Sequence, residues 1–326
     1  MASQACSGDA AAAIVARTSA TNARTTAVSR TNSSFIATDS DPTEVPIGRH
    51  RVRLTHPERV LFPEDGVTKG DLARYYLEVG DAIVPHLRER PFTLKRYPHG
   101  IHGQPYFHKQ APKGKPPWIP TRQFRTWPRE GESRLVDFTL VNETAALVWM
   151  VQMNCIDMNA WYSRVDKPER PDFVLFDLDP SPDVGFSEVV QVALVVKQAL
   201  DALGLAAFPK TSSAEGMHVL VPVERRYTYA QTREFCEIVA GALARNHRGL
   251  VTTEWSRAKR RGVLIDANQN GEGKTIASVY SVRPRPGAPV SARGIAPAPP
   301  RRLSAGRTSP RRSRAALGAA GSPGRC

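Results

Sequence analysis

The sequence predicts an α/β fold of the α+β kind, with a mixed or antiparallel sheet and flanking helices behind a smaller, basic N-terminal subregion. Three observations predict it. Apolar strand-like runs alternate with helical spacing between residues 171 and 266. The connection within 208–223 is too short for a crossover helix, so the strands it joins run antiparallel. Ahead of them, residues 88–128 are dense in Pro, Gly, basic and aromatic residues, which suits loops and short strands.

Residues 1–47 are low-complexity and read as a disordered leader; Arg17, Arg24 and Arg30 give a faint transit-peptide look, without the apolar core of a secretory signal. Order is expected near Arg51, where VRLTHPERVLFP alternates like a strand running into a turn. DLARYYLEVGDAIVPHL, from Asp71 to Leu87, has helical spacing behind an acidic first turn, with Gly70 ahead of it. A second helix is expected from Glu143 to about Asn154. PDFVLFDLDP reads as a buried strand ending in acids, 187–203 as a helix, and a short strand runs into Lys210 before MHVLVPV returns. Tyr227 to about Asn246 reads as a long helix, and GVLIDAN as a strand ending in a carboxylate. From about Pro284 the apolar pattern collapses, and 293–326 read as a disordered Arg/Pro/Ala-rich tail. The body is therefore 48–292, with parts 48–165 and 166–292.

Composition narrows the function. The chain is 41% hydrophobic but has no apolar run long enough to span a membrane. Cys6, Cys155, Cys236 and Cys326 are too scattered for a disulfide framework or a CxxC zinc site, and suit a reducing cytosol. Of the net charge of +14, the tail supplies +8 and the leader −1, leaving +7 on the body. A basic body with an Arg-rich tail favours a polyanion, nucleic acid first, although Arg-rich codon usage would leave the same mark.

Asp177 and Asp179 stand at i and i+2 on a strand, so both project from one face while Leu178 points into the packing. Two carboxylates on one face repel unless a divalent cation such as Mg²⁺ or Mn²⁺ lies between them. Asp266 ends the strand GVLI in the same way, and two such strands can converge on two ions for in-line phosphoryl transfer. Alone, a D-x-D is more often a pair of surface acids. The loop Lys210-Thr211-Ser212-Ser213-Ala214-Glu215-Gly216-Met217-His218 adds weight. Its backbone N–H groups and hydroxyls can cradle phosphate oxygens, with Lys210 and His218 as charge or donors. Gly271-Glu272-Gly273-Lys274-Thr275 imitates a Walker A ending, but Asn268 stands where its first glycine belongs. In the front part Arg59, Lys69, Lys95, Arg96, Lys109, Lys113 and Lys115 interleave with Phe62, Tyr97, Tyr106, Phe107 and Trp118. That pairing suits nucleic-acid ends and gaps, although half the aromatics would serve equally as core.

Together these stretches resemble the polymerase domain of bacterial ligase D-type end-joining proteins, in the archaeo-eukaryotic primase superfamily. THPERVLFPEDGVTKGDLARYY, PHLRERPFTLKRYPHG, RPDFVLFDLDPS, KTSSAEGMHVLVP and GVLIDANQNGEGKTIASVYSVRPRPGAPVSA carry the resemblance, from about Val52 to Ala292. It implies a primase-type catalytic core (166–292) with a DNA-end-binding part (48–165), adding NTP or dNTP to a 3′-hydroxyl at DNA ends or gaps with Mn²⁺ or Mg²⁺. Asp177, Asp179 and Asp266 take the metal-ligand roles. Ser212, His218, Gln269 and Arg283 hold the triphosphate with Lys210; Lys69 and Arg59 match a 5′-phosphate pocket; Phe107 packs near the template. A cytoplasmic, nucleoid-associated setting in double-strand-break repair follows, with Ku and a separate DNA ligase as partners. The sequence departs from the family at Ser213, where the loop has a glycine, at Asp157 and Asn159, where an E-L-H pattern is common, and beyond Ser291. That last change is what a reading-frame shift in GC-rich DNA would produce, and the absence of a nucleotidyl-lysine motif reads as a stand-alone polymerase module. The competing readings are a two-metal nuclease or phosphoesterase and a catalytically impaired DNA-end-binding module.

Overall fold

The computed structural model describes residues 43–126, 132–212 and 215–293. The alternation TEVPIGRHRVRL forms a hairpin, β1 Thr43–Ile47 with β2 His50–Leu54, turning through Gly48 at φ +57°. Val45, Ile47, Val52 and Leu54 are buried on one face. The described residues thus include the last five of the stretch whose composition predicts a leader, where Val45 and Ile47 dock beside Val52 and Leu54 in one hairpin. The expected tail lies outside the described residues apart from Arg293, which bridges to Lys210.

A second small hairpin, β3 Val60–Phe62 and β4 Val67–Thr68, leads into helix α1, Lys69–Glu78. Thr68 caps α1 in a box with Asp71, so the helix begins two residues before the acidic start. The single helix expected over 71–87 breaks at Val79 into α1 and α2, Gly80–Leu87. The break brings Gly80 so close to Thr144 that a Cβ there would lie 2.4 Å from its side chain. Helix α3, Thr144–Gln152, is buried on nearly every side and joins α1, α2 and the first hairpin in one core.

A six-stranded antiparallel sheet backs this core. It comprises β5 Pro91–Arg96, β6 Tyr106–His108, β7 Thr121–Thr126, β8 Arg134–Leu140, β9 Asn159–Trp161 and, from far along the chain, β15 Thr275–Ala277. A five-stranded sheet holds the other core, with β10 Phe173–Pro180 at its centre. On one side of β10 lie β12 Met217–Pro222 and then β11 Phe208–Thr211. On the other lie β14 Val263–Asp266 and β13 Val251–Thr252. All its pairings are antiparallel except β13 with β14, so the sheet is mixed, as the short connection predicts. Helices α4, Phe186–Ala202, and α5, Tyr229–Asn246, cover one face, where Val174, Phe176 and Leu178 are fully buried. The period of two turns Asp177 and Asp179 to the opposite face. Residues 278–292 close the fold by returning to the first core, with Val282 and Ala288 buried there, while Ala292 accepts from Thr211 N–H of β11.

Candidate metal and nucleotide site

The antiparallel register of β10 and β14 sets Asp177 directly opposite Asp266, and Asp179 opposite Leu264. Oxygens of all three carboxylates lie within 4.8 Å of one another. The strands hold them there because their alternate residues, Leu178 and Ile265 among them, are locked in the helix-covered core. Burial lifts Asp177 to about 6, with Lys210 and Arg283 pulling the other way. Burial, then repulsion from Asp177 and Asp266, lifts Asp179 to about 6, opposed by Arg260 and Arg257. Asp266 is raised by burial as well, although its carboxylate caps a single 3₁₀ turn by accepting from Asn268 N–H at 2.9 Å and from Gln269 Nε2 at 3.4 Å. Three hard oxygen donors held close against their own repulsion fit a divalent cation.

A polar row continues across the sheet. His218 stands opposite Asp177 on β12, with Nε2 3.2 Å from Asp177 Oδ1. Burial, then Lys210 and Arg283, hold its pKa well below the usual value, and Nδ1 has no protein partner. Lys210 stands opposite His218 on β11, and its Nζ donates to Ser291 Oγ at 3.0 Å. Burial and Arg283 bring Lys210 down to about 7, with Asp177 opposing. Ser212 donates from Oγ to Gly216 O at 2.9 Å, closing the loop on itself. Gly216 is required there, because a Cβ would sit 2.2 Å from Leu178 O on the carboxylate strand. Ser213, the departure from the family loop, lies outside the described residues.

Arg283 reaches this row from the closing segment, and Nη1 lies 3.5 Å from Asp157 Oδ2. Asp157 is 1% exposed, with Lys95 Nζ at 4.0 Å. Sequence reasoning noted Asp157 as a departure and missed it as the counter-ion of Arg283, a pairing across 126 residues that no local pattern signals. Arg260, buried beside Asp179, was missed for the same reason.

The front residues separate into two groups. Phe62 and Tyr97 are core, and Trp118 stacks on His50 at 4.1 Å. Phe107 is 64% exposed at the sheet edge, with Lys95 Nζ 5.6 Å from its ring centroid, and Lys109 is exposed beside it. Lys69, expected in a 5′-phosphate pocket, lies buried behind that surface. It is 2% exposed, and its ammonium donates to Thr55 O, Gln152 O and Gln152 Oε1 at 3.0, 2.9 and 3.0 Å. Three protein acceptors consume its three donors. Burial, then Arg59 and Arg96, lower Lys69 to about 8, so the three cations share one neighbourhood and Arg59 is the more accessible of the first two.

A mixed-sheet core carrying an acidic triad next to buried Lys210 and His218 and half-buried Arg283 has the make-up of a metal-dependent phosphoryl-transfer site. Residues 68–293 match the family described as the LigD primase-polymerase domain, and the chain belongs to that family. It is 35% identical over 241 residues to the multifunctional non-homologous end joining protein LigD of Pseudomonas aeruginosa, covering 74% of this chain and 28% of that protein. It is 29% identical over 235 residues to the bifunctional LigD of Bacillus subtilis, covering 72% and 37%. Among solved structures it resembles the polymerase domain of Mycobacterium tuberculosis ligase D in complex with DNA. The TM-score is 0.69 at 30% identity, covering 75% of this chain and 86% of that one. The chain thus spans about a third of the curated relatives, and nearly all of the solved domain. Among the described residues no helix is long and apolar enough to cross a membrane.

Proposed function

We propose that this chain adds nucleotides to a 3′-hydroxyl at DNA ends or gaps by a two-metal mechanism, in the repair of double-strand breaks. The observation that carries this reading is the triad, three carboxylates within 4.8 Å on two rigid paired strands. Asp177, Asp179 and Asp266 hold the ions, Mn²⁺ or Mg²⁺. When bound, such ions lower the pKa of an attacking hydroxyl and neutralise a departing pyrophosphate. His218 orients Asp177 through Nε2, and Gln269 steadies Asp266. Lys210, Ser212 and Arg283 lie along the same edge of the triad and take the triphosphate of an NTP or dNTP. A buried lysine and a half-buried arginine there give a fixed positive field that needs no reorganisation when charge develops. The several negative charges of a triphosphate use that field more fully than a single phosphodiester does, which favours transfer over hydrolysis.

The relatives carry non-homologous end joining in their names, and one solved neighbour is bound to DNA. On that basis the front part grips the end. Arg59 contacts the 5′-phosphate, with Lys69 and Arg96 adding field from behind, while Phe107 and Lys109 meet the template strand. Ku and a separate ligase are the partners such a module would serve.

The test is extension of a 5′-phosphorylated gapped duplex, offering ribo- and deoxyribonucleotides with Mn²⁺ or Mg²⁺. Asp179→Ala should lose extension while retaining salt-sensitive end binding. Normal extension by that variant would sink the assignment, and release of nucleoside monophosphate rather than pyrophosphate would turn it to the nuclease.

A further inference from the structure

The face of the five-stranded sheet that α4 and α5 leave open carries more than the triad. Val219 and Val221 of β12 point into the helix-covered core, so His218, Leu220 and Pro222 point the other way. Below His218 on that face, a cavity of about 300 Å³ lies in the seam between the two sheets. Phe208, Leu220 and Phe173 form one wall, and Trp161 and Ile276 of the six-stranded sheet form the other. Register gives its length. Lys210 stands level with His218, Phe208 with Leu220, and Phe173 with Pro222. Four residues separate His218 from Pro222, so the cavity runs about 13 Å down the strands, away from the carboxylates. Lys210 closes the inner end. Phe208 is 44% exposed and Arg293 is exposed beside it, so the cavity opens to solvent at the β11 edge.

The lining suits water poorly. Protein interiors otherwise close-pack, and this space equals the volume of about ten molecules of liquid water. Each water would need two to four polar partners, but the polar groups on the walls are mostly engaged. Lys210 Nζ donates to Ser291 Oγ, and the Arg90 guanidinium to both Asp172 oxygens at 2.7 Å and to Tyr162 O at 2.6 Å. One group is left over. Ser278 is 8% exposed, and its Oγ has no hydrogen-bond partner among the described residues. A buried hydroxyl without a partner is costly, and a bound polar atom would satisfy it.

Charge selects the sign of that atom. Asp172 is the one carboxylate on the walls, and it accepts from Arg90 and also from Arg164 Nε at 3.1 Å, so two cations answer it. Arg293 and Lys210 add to the positive side. His86 keeps an exposed edge at the rim. Partial burial, then Arg293, Arg90 and Arg164, lower its pKa, with Asp172 opposing. A slot with two apolar walls, one unmatched hydroxyl and a surplus of positive charge complements a flat apolar body with one negative group.

We infer that this seam cavity is a second ligand site, for a small aromatic monoanion. The ring lies between Phe208 and Leu220 on one side and Trp161 and Ile276 on the other. The anionic group accepts from Ser278 Oγ in the field of Lys210 and Arg293. The site stands apart from the triad and does not depend on the nucleotidyl-transfer reading.

The test is calorimetry on the full chain with 2-naphthoate and its neutral counterpart 2-naphthamide. One naphthoate should bind per chain, and the amide about tenfold more weakly, because a charge-assisted hydrogen bond is about twice as strong as a neutral one. Ser278→Ala should weaken naphthoate about fivefold, the scale of one hydrogen bond. Leu220→Trp fills the slot and should abolish binding of both compounds. Phe208→Ala, at the exposed mouth, tests the same wall without risk to the core and should weaken both about tenfold. Thermal unfolding shows that each variant is folded. Absence of naphthoate binding at millimolar concentration would overturn the site. So would equal affinity for the acid and the amide, or undiminished binding in Phe208→Ala and Ser278→Ala.

Discussion

Removing one charge from the triad should make the metal-free protein more stable. Asp177 has a side chain only 14% exposed, and burial raises its carboxyl from 3.8 to about 6. Two pKa units correspond to about 3 kcal/mol between the protonation states. Because the folded value is the higher, this stability is fully present below about pH 4 and is lost as pH rises through about 6. Asp179 adds in the same direction, but it is exposed, and solvent screening reduces its share. At pH 7.5 in chelator, Asp177→Asn should therefore gain about 2 kcal/mol, the amide keeping the volume and the contact with His218 while shedding the charge. For a domain of this size that is a rise of roughly 4–8 °C in Tm. At pH 4 the difference should vanish, because the wild-type carboxyl is then protonated. Saturating Mn²⁺ should reverse the order, adding about 2.7 kcal/mol to the wild type at a hundredfold excess over Kd and little to the variant. Thermal and urea unfolding at the two pH values, with and without Mn²⁺, measure all of this. An Asn variant no more stable than wild type in chelator at pH 7.5, or equal Mn²⁺ protection of both, would refute the reasoning.

Two further outcomes follow from single contacts. Lys69→Met should lower stability at pH 7 by about 3 kcal/mol in urea unfolding, because Thr55 O and Gln152 O lose a charged donor inside the core. As pH rises from 8 towards 10.5 the wild type should gain on the variant, because its buried ammonium sheds a proton that the unfolded chain keeps; a pH-independent difference would show the ammonium is not strained by burial. Gly216→Ala should displace β12 from Leu178, since its Cβ would meet that carbonyl at 2.2 Å. The expected result is about 1–3 kcal/mol of destabilisation with weakened Mn²⁺ affinity by calorimetry, and wild-type affinity would show that the loop moves without disturbing the triad.

What could be read in the sequence, and what could not, divides by distance along the chain. β10, β14 and the helices α4 and α5 were legible because period, length and terminal acids are local properties. The triad was legible as three acids each ending an apolar run. Its register, Asp177 against Asp266, was not, because strand pairing is decided by contacts some ninety residues apart. Lys69 shows the same limit more sharply. As a lysine in a basic segment it suggests a phosphate, yet Gln152, 83 residues on, supplies two of the three oxygens that claim its ammonium. The first strand was masked by the opposite error, in which the average composition of a leader hid two alternating apolar residues, Val45 and Ile47, at its end. The residues that escaped local reading, Asp157 and Arg260, are buried ions, as are Lys69, Lys210 and Asp266, whose burial no local pattern signalled. A folding core gains nothing from burying so many charges, and desolvation opposes each of them. Their concentration around one carboxylate triad and one cationic pocket is therefore the strongest physical sign that these two places exist to meet something charged. The opposite signs, acidic at the triad and basic at Arg59 and Arg283, are what the proposed metal-bound triphosphate and nucleic-acid end would require together.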